Sequence, residues 1–310
     1  MSNSGVILCD SSELYNILNQ ASQYPRLSDP NYLLLLDTRK RNEYNESHII
    51  TSKFAPRNDI GAFTVPYDAE LETKIHVVVY DSNTTSTKDK GSPALSCAKL
   101  LWEMGSRNQV KVVKGGYEEF SALYPFLRTQ KIMYTPRELD TLITYPVEVL
   151  PSFLYIGTYK QSQNKAITKD LKVKAHVNVT MEADKELSAD SIILGVDDKH
   201  VSQVLTIAIE DENKADLLTH LKEAVQFIDD HKTNDGRCVL IFSNLGISRS
   251  VTVAIGYLMW SKKISLKDAY SQLRKCRENM QPNRAFIEQL SQWEEQLFGK
   301  TITDISEPGY

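Results

Sequence analysis

The chain has 310 residues, of which 41% are hydrophobic and 25% charged, a balance typical of globular proteins with enough apolar residues for two cores. Its formal charge of −4, from 36 basic and 40 acidic residues, argues against sequence-independent binding to nucleic acid or to an anionic membrane, since both need a basic face. Its four cysteines show neither CxxC nor metal-ligand spacing, so we expect reduced thiols, an intracellular location and no metal site.

Helical and strand patterns alternate along the first half of the chain. The segment SSELYNILNQA (residues 11–21) predicts a helix, because serines suited to capping precede apolar residues that recur on one face. Short apolar runs bounded by turn residues predict strands at 32–39, 76–81 and 110–116, and helical spacing recurs at 94–105. Since helices alternate with such strands, we expect a parallel sheet covered by helices.

The second half repeats this pattern. Strands are predicted at residues 153–157, 175–180, 206–211 and 238–242, and helices at residues 216–231, 250–260, 265–276 and from Pro282 onward. The run CVLIF at 238–242 is apolar throughout, as expected of a central strand that is buried on both faces. The predicted fold class is therefore α/β, with two domains.

The stretch from Pro125 to Pro151 contains four prolines and weak periodicity, which indicates a connector between the domains. No apolar run approaches the roughly 18 residues needed to cross a bilayer, and the first residues show no arginine-rich amphipathic pattern. We therefore expect a cytoplasmic protein without membrane insertion. The sequence leaves targeting to an organelle, for example the mitochondrion, open.

The segment IFSNLGISRS (residues 241–250) joins the predicted central strand to a helix. Backbone N–H groups in such a turn, together with the helix dipole, favour an anion. Arg249 could bind two phosphate oxygens at once, and Gly246 allows a tight turn. The alternative is an ordinary strand-to-helix turn with an exposed arginine.

This order of strand, loop and helix resembles the dual-specificity protein phosphatases, whose signature is His-Cys-x5-Arg-Ser. The segments LPSFLYIGTYKQSQNK, AHVNVT, IEDENKAD, GYLM and MQPNRAFIEQL extend the resemblance over about residues 146–299. The resemblance assigns the phosphate loop to Ser243, Asn244, Leu245, Gly246, Ile247, Ser248, Arg249 and Ser250. It places the family's nucleophile at Ser243, its preceding histidine at Phe242 and its general acid at Asp211.

The residues at positions 242 and 243 argue against catalysis. A thiol with a pKa near 8.5 falls to about 3.5–7.5 beside a helix N-terminus and cations, so that a thiolate can attack phosphorus. The hydroxyl of Ser243 stays protonated in the same field, and Phe242 offers no base. Losing a nucleophile lowers the rate by a factor on the order of 10⁶. We therefore expect no enzyme activity.

The first half resembles the rhodanese-like module that precedes the catalytic domain of MAP-kinase phosphatases, on the segments LLLLDTRKRNEYNESHI and VVKGGYEEFSALYP. The rhodanese cysteine falls on Asp81, and the following SNTTS has neither the glycine nor the arginine of an active loop, so sulfur transfer is not expected. The kinase-docking patch of those phosphatases is reduced here to Lys53 and Arg57, which leaves MAP-kinase docking doubtful.

Together, the two resemblances imply an inactive rhodanese-like domain at 1–128, a linker at 129–145, an inactive phosphatase-like domain at 146–299 and a flexible tail at 300–310. The implied function is that of a pseudophosphatase without cofactor. It would act as a scaffold, competitor or regulator that binds phosphoproteins or signalling proteins, including targets of active phosphatases.

Two alternative functions remain at this stage. One is a residual phosphatase with an unconventional nucleophile such as Ser243. The other is a structural adaptor whose degenerate loop binds no phosphate. Asp211 is either a vestigial acid beside the loop or a solvated surface residue in the charged run EDEN.

Overall fold

The computed structural model describes residues 5–22, 24–133, 135–181, 203–232 and 237–306. Contacts divide the chain into two units, Met1–Thr144 and Tyr145–Tyr310. Each unit is an α/β domain built on a largely parallel sheet, which confirms the predicted fold class.

The N-terminal unit contains a parallel sheet with the strand order β1-β6-β5-β2-β4 and a small antiparallel pair, β3-β7. Its strands are β1 (Val6–Cys9), β2 (Leu33–Asp37), β3 (His48–Ile49), β4 (Lys53–Phe54), β5 (His76–Tyr80), β6 (Val110–Val113) and β7 (Arg128–Thr129). Its helices are α1 (Ser11–Leu18), α2 (Arg41–Glu46), α3 (Pro93–Glu103), α4 (Gly116–Leu123) and α5 (Pro136–Asp140). The leucine- and valine-rich runs that predicted strands form the buried centre of this sheet.

A buried ion pair fixes the turn that follows β2. Arg39 donates from Nε and Nη2 to both carboxylate oxygens of Asp37, at 2.7 to 3.1 Å, and from Nη2 to the carbonyl of Ser47 at 2.7 Å. Its guanidinium lies 3.7 Å from the ring centroid of Tyr117. These contacts join β2, α2 and α4, which is a structural role for the pair.

The predicted linker contains regular structure. The strand β7 pairs with β3, and Thr135 caps α5 with a hydroxyl that accepts the backbone N–H of Glu138 at 3.4 Å. The hydroxyl of Ser28 donates to the carboxylate of Asp140 in α5. Residues up to Asp140 therefore pack on the N-terminal unit.

The C-terminal unit has the strand order β11-β10-β12-β9-β8, with β12 in the centre and only the β8-β9 pair antiparallel among the described strands. Its strands are β8 (Val147–Leu150), β9 (Leu154–Thr158), β10 (Val173–Asn178), β11 (Gln203–Thr206) and β12 (Cys238–Ser243). Its helices are α6 (Tyr159–Ser162), α7 (Lys165–Asp170), α8 (Leu218–Asp230), α9 (Arg249–Lys262), α10 (Leu266–Cys276) and α11 (Arg284–Phe298). Within the residues described, no helix combines the length and apolarity needed to cross a bilayer.

The strand predicted at 206–211 lies earlier in the chain than the sequence indicates. Strand β11 ends at Thr206, and the N–H of the next residue, Ile207, still donates to the carbonyl of Asn178 in β10 at 2.8 Å. Ile207 and Ile209 are both buried, and this alternation imitates a strand. The carbonyl of Ile209 accepts a hydrogen bond from Arg249 rather than from a neighbouring strand.

The C-terminal tail is bound to the domain over its first residues. The buried carboxylate of Glu294 on α11 accepts the backbone N–H groups of Ile302 and Thr303, each at 2.8 Å, and the Thr303 hydroxyl at 2.9 Å. It also accepts the N–H of Leu266, the first residue of α10, at 2.7 Å. Glu294 therefore joins the tail to α10, whereas the end of the predicted flexible tail, residues 307–310, lies outside the described part.

We predict that Glu294→Ala lowers the free energy of unfolding by about 3 kcal/mol, because several buried donors lose their acceptor at once. Burial opposes ionisation of Glu294, but its hydrogen bonds outweigh this effect and lower its pKa. A lowered folded-state pKa means that the contribution is present above the carboxyl's unfolded pKa and is lost as pH falls through the folded value. Urea unfolding between pH 7 and pH 3 measures both effects. The exposed neighbour Glu295→Ala serves as the control, and an equal loss in both variants would contradict the assignment.

Candidate functional site

The candidate site lies where β12 ends and α9 begins. Since β12 pairs with β9 and β10 in parallel, its carboxyl end opens at the sheet edge where α/β proteins commonly bind ligands. Residues 244–248 form the turn, and α9 starts at Arg249. The predicted order of strand, loop and helix is the one observed.

Gly246 gives this turn its shape. Its φ of 69° lies in the left-handed region that favours glycine. A Cβ atom at this position would lie 2.6 Å from the carbonyl oxygen of Gly157 in β9. The loop therefore packs directly on the backbone of the neighbouring strand, where a side chain has no room.

The hydroxyl of Ser243 closes the loop from inside. Its Oγ accepts the backbone N–H of Gly246 at 3.2 Å and lies 3.0 Å from the hydroxyl oxygen of Ser250. Ser243 and Ser250 are both buried. Ser243, which the resemblance places at the position of the family's nucleophile, thus links the two ends of the turn by hydrogen bonds.

The guanidinium of Arg249 is buried beside the loop, with 7% of the residue exposed. Nη1 donates to the carbonyl of Ile209 at 2.8 Å, and Nη2 donates to Oδ1 of Asn244 at 3.2 Å. Nε is buried and has no hydrogen-bond acceptor among the described residues. Burial lowers the pKa of Arg249, although the charges of Asp211 and Glu210 act in the opposite direction. An unsatisfied, desolvated cationic donor of this kind favours an anionic ligand.

Asp211 is exposed but contacts the loop. Its Oδ1 accepts the hydroxyl of Ser248 at 2.7 Å, and its Oδ2 lies 3.7 Å from Nε of Arg249. The oxygen of the Ser248 hydroxyl in turn accepts the backbone N–H of Asn283 at 3.1 Å. The segment after β11, the loop and the start of α11 are therefore joined at this point.

Two supports of the loop come from residues that the sequence does not indicate. Arg277 at the end of α10 is buried and donates from Nη2 to the carbonyl of Leu245 at 3.2 Å, and its burial lowers its pKa to about 10. The N–H of Gln281 donates to the carbonyl of Ile247 at 2.8 Å. These contacts join residues about 30 positions apart in the chain, and no local sequence pattern indicates them.

A cavity of about 900 Å³ opens over the loop, which is within the range of small-ligand sites. Its polar and charged lining consists of Asp211, Ser243, Asn244, Ser248, Arg249, Arg274, Asn279, Gln281, Asn283 and Arg284. Its apolar lining consists of Leu245, Ile247, Tyr270, Met280 and Pro282. Three arginines against one aspartate give the cavity a positive charge in a chain whose net charge is negative.

Comparison with known proteins agrees with this architecture. Residues 154–296 match the dual specificity phosphatase catalytic domain, and residues 20–123 match the rhodanese-like domain. Human dual specificity protein phosphatase 1 is 30% identical over 304 residues, a match that covers 85% of this chain and 78% of that protein. The chain belongs to the dual specificity protein phosphatase family.

Two other proteins illustrate what the chain is similar to. Human dual specificity protein phosphatase 4 is 28% identical over 302 residues, covering 85% of this chain and 73% of its own length. The crystal structure of human DUSP28 shows 28% sequence identity, covers 50% of this chain and 97% of its own, and has a TM-score of 0.42.

The residue at the position of the family's histidine, Phe242, is fully buried. Its ring lies edge-on to the imidazole of His176, with ring centroids 5.9 Å apart, and 6.2 Å from the ring of Tyr159. Both ring nitrogens of His176 and Nδ2 of Asn178 are buried without a partner among the described residues. Burial alone lowers the pKa of His176 to about 4. The floor of the loop is thus an aromatic cluster beside unsatisfied polar atoms.

In the N-terminal unit, Asp81 follows β5 directly and is buried. Its carboxylate accepts the N–H and hydroxyl of Thr84 at 3.0 and 2.6 Å, the hydroxyl of Ser92 at 2.7 Å and the N–H of Ala94 at 3.4 Å. Burial opposes its ionisation, but these bonds prevail and lower its pKa. The residue at the rhodanese cysteine position therefore holds a turn and the start of α3.

Lys53 and Arg57, the two basic residues that left MAP-kinase docking doubtful, both contact other side chains of the N-terminal unit. Nζ of Lys53 lies 2.5 Å from a carboxylate oxygen of Asp68. The guanidinium of Arg57 lies 4.2 Å from the ring centroid of Phe63 and donates to the carbonyl of Thr38 at 3.3 Å. Neither residue presents an isolated charge.

We predict that Gly246→Ala lowers the free energy of unfolding by about 2–4 kcal/mol, since it adds a clash with a strand backbone to the strain of a positive φ. Gly299 is a matched control, because its φ is 72° and a Cβ atom there would meet nothing within 4 Å. Gly299→Ala should lose only about 1 kcal/mol from the backbone term. Chemical denaturation of both variants measures the difference, and similar losses would refute the close packing of the loop on β9.

We predict that His176→Leu raises stability by about 1 kcal/mol at neutral pH, because it removes buried polar atoms that lack partners. The unfolded imidazole binds a proton near pH 6.5 and the folded one only near pH 4, so the native protein loses stability as pH falls between these values. The variant should lack this loss. His231 is the control, since its ring nitrogens contact the Phe227 carbonyl and the Gln203 side chain. His231→Leu should destabilise, and unfolding curves from pH 7.5 to 4 that show the same trend for both variants would contradict the prediction.

Proposed function

We propose that this chain is a catalytically inactive member of its family, a pseudophosphatase that binds phosphate-bearing signalling proteins as a scaffold or competitor of active phosphatases. The observation that carries the proposal is the hydroxyl of Ser243 at the position of the family's nucleophile. The similar proteins are named as phosphatases. Phosphatase activity is therefore the alternative that the experiment has to distinguish.

The surroundings of Ser243 support inactivity. Its hydroxyl is engaged with Ser250 and with the N–H of Gly246, and the neighbouring Phe242 is a hydrocarbon. A serine needs an adjacent base to become a nucleophile. The nearby acid, Asp211, is bound to the hydroxyl of Ser248, so it is directed to a different group.

Retained phosphate binding is supported by the parts of the site that need no nucleophile. The turn places backbone N–H groups at the start of a 14-residue helix, where the dipole favours an anion. Arg249 adds a buried donor that has no acceptor among the described residues. A phosphate monoester would supply the missing acceptor and the missing negative charge.

The partner follows from the same chemistry. A positively charged cavity with one buried arginine fits a phosphorylated side chain on another protein, including targets of active family members. Docking of a MAP kinase through Lys53 and Arg57 is not supported, because both side chains have contacts of their own. We propose that this binding takes place in the cytoplasm.

We predict that the native protein shows no turnover of a small aryl phosphate, whereas Phe242→His/Ser243→Cys gains a rate at least about 10³-fold above it. The reason is that a thiolate can form at a helix N-terminus beside Arg249, while a serine alkoxide cannot. Steady-state release of the aryl alcohol by purified full-length chains measures the rates.

Phe242→His alone is the matched control and should remain silent, since it restores the imidazole without the thiol. Adding Arg249→Lys to the double variant should abolish the gain, because lysine cannot bind two phosphate oxygens in one plane. Turnover by the native protein that disappears in Arg249→Lys would refute the proposal in favour of an unconventional phosphatase.

A further inference from the structure

Leu245 is an exposed apolar residue in the wall of the candidate phosphate site. It lies in the middle of the loop, between Asn244 and Gly246, and 68% of it is exposed. Burial of apolar surface is favourable in proportion to its area, so a ligand that covers this side chain would gain binding free energy.

The backbone beneath Leu245 is held firmly. Its carbonyl accepts a hydrogen bond from the buried guanidinium of Arg277, and the next residue, Gly246, packs against β9. The side chain therefore has a fixed origin at the rim, and its exposure is not a result of a loosely held chain.

Leu245 continues an apolar wall of the cavity. Tyr270, Met280 and Pro282 are buried, and Ile247 is half-buried, so they form the inner part of that wall. Leu245 is the exposed large apolar residue among those that line the cavity. The cavity thus combines a cationic site at Arg249 with an apolar surface beside it.

We infer that Leu245 selects aromatic phosphate monoesters, so that the protein binds phosphotyrosine in preference to phosphoserine. This inference rests on the proposed function, because it requires that the loop and Arg249 hold a phosphate. A phosphotyrosine places a planar apolar ring between its phosphate and its backbone, whereas a phosphoserine places a single methylene there. The ring covers Leu245 when the phosphate reaches Arg249, and the cavity volume of about 900 Å³ accommodates it.

The test measures dissociation constants of the full-length chain by NMR titration with three probes. These are O-phosphotyrosine and O-phosphoserine, both with blocked termini, and inorganic phosphate. The native protein should bind the tyrosine ester about tenfold more tightly than the serine ester, which corresponds to burial of part of a leucine side chain. Leu245→Ala should reduce this ratio to about two.

Three further variants test whether the apolar surface of Leu245 causes the preference. Leu245→Asn keeps the number and branching of the side-chain heavy atoms without the apolar surface, and should lose the preference as Leu245→Ala does. Ile302 is the control, because it is a large apolar residue of the same unit, 52% exposed, outside the cavity lining. Ile302→Ala should keep the tenfold ratio, and Arg249→Lys should weaken binding of both esters.

The possible failures differ. Equal affinity of the native protein for the two esters, or a preference that survives both Leu245 variants, would overturn this inference and leave phosphate binding intact. Absence of binding by all three probes would overturn the proposed function, and the inference with it.

Discussion

The whole site depends on the way that the guanidinium of Arg249 is held. This one side chain joins the first turn of α9 to Asn244 in the loop and to the carbonyl of Ile209 in the segment after β11. A buried cation is unfavourable unless charge and hydrogen bonds compensate for lost water. Asp211 supplies part of the charge from 3.7 Å, and Nε still lacks an acceptor among the described residues. Nη1 and Nη2 therefore have acceptors within the domain, and Nε is the donor that the proposed anionic ligand would satisfy.

The two units differ in the residue that lies at the turn after a parallel strand. In each, a parallel strand ends in a turn that precedes a helix, so backbone N–H groups converge at the carboxyl edge of the sheet. In the N-terminal unit the carboxylate of Asp81 occupies that place and accepts the donors of Thr84, Ser92 and Ala94. In the C-terminal unit the corresponding residue, Ser243, is neutral and small. The first turn therefore contains an internal anion, whereas the second contains none, which is consistent with the proposal that it binds an external one.

The sequence predicts what is local and misses what is distant. The central strand, the loop and α9 are contiguous, so their periodicity and their glycine and arginine identify them. The support of the loop by Arg277 and the hydrogen bond to Ile209 join residues 32 and 40 positions apart, and neither residue stands out in a periodic pattern. The strand predicted at 206–211 differs from the observed β11 for a related reason. Residues that pack against the core on one side alternate between buried and exposed, as paired strand residues do, so the sequence pattern does not separate the two cases. The nearness of Asp211 to the loop was available from the family resemblance but not from its own charged neighbourhood.

The substitution at position 243 separates the shape of the loop from its chemistry. The loop requires an acceptor for the N–H of Gly246 and a polar neighbour for Ser250, and a hydroxyl provides both at 3.2 and 3.0 Å. Catalysis requires a group that loses its proton at neutral pH, which a hydroxyl without a base does not. Serine therefore satisfies the structural requirement, and the missing base is the chemical ground for the proposal that the chain is inactive. Phe242 shows the same separation at the floor of the loop. Its buried ring fills that floor, while both ring nitrogens of His176 and Nδ2 of Asn178 have no hydrogen-bond partner among the described residues. Unpartnered polar atoms beside a hydrocarbon side chain are the pattern expected where a polar residue has been replaced by an apolar one, and the turn above them keeps its internal hydrogen bonds.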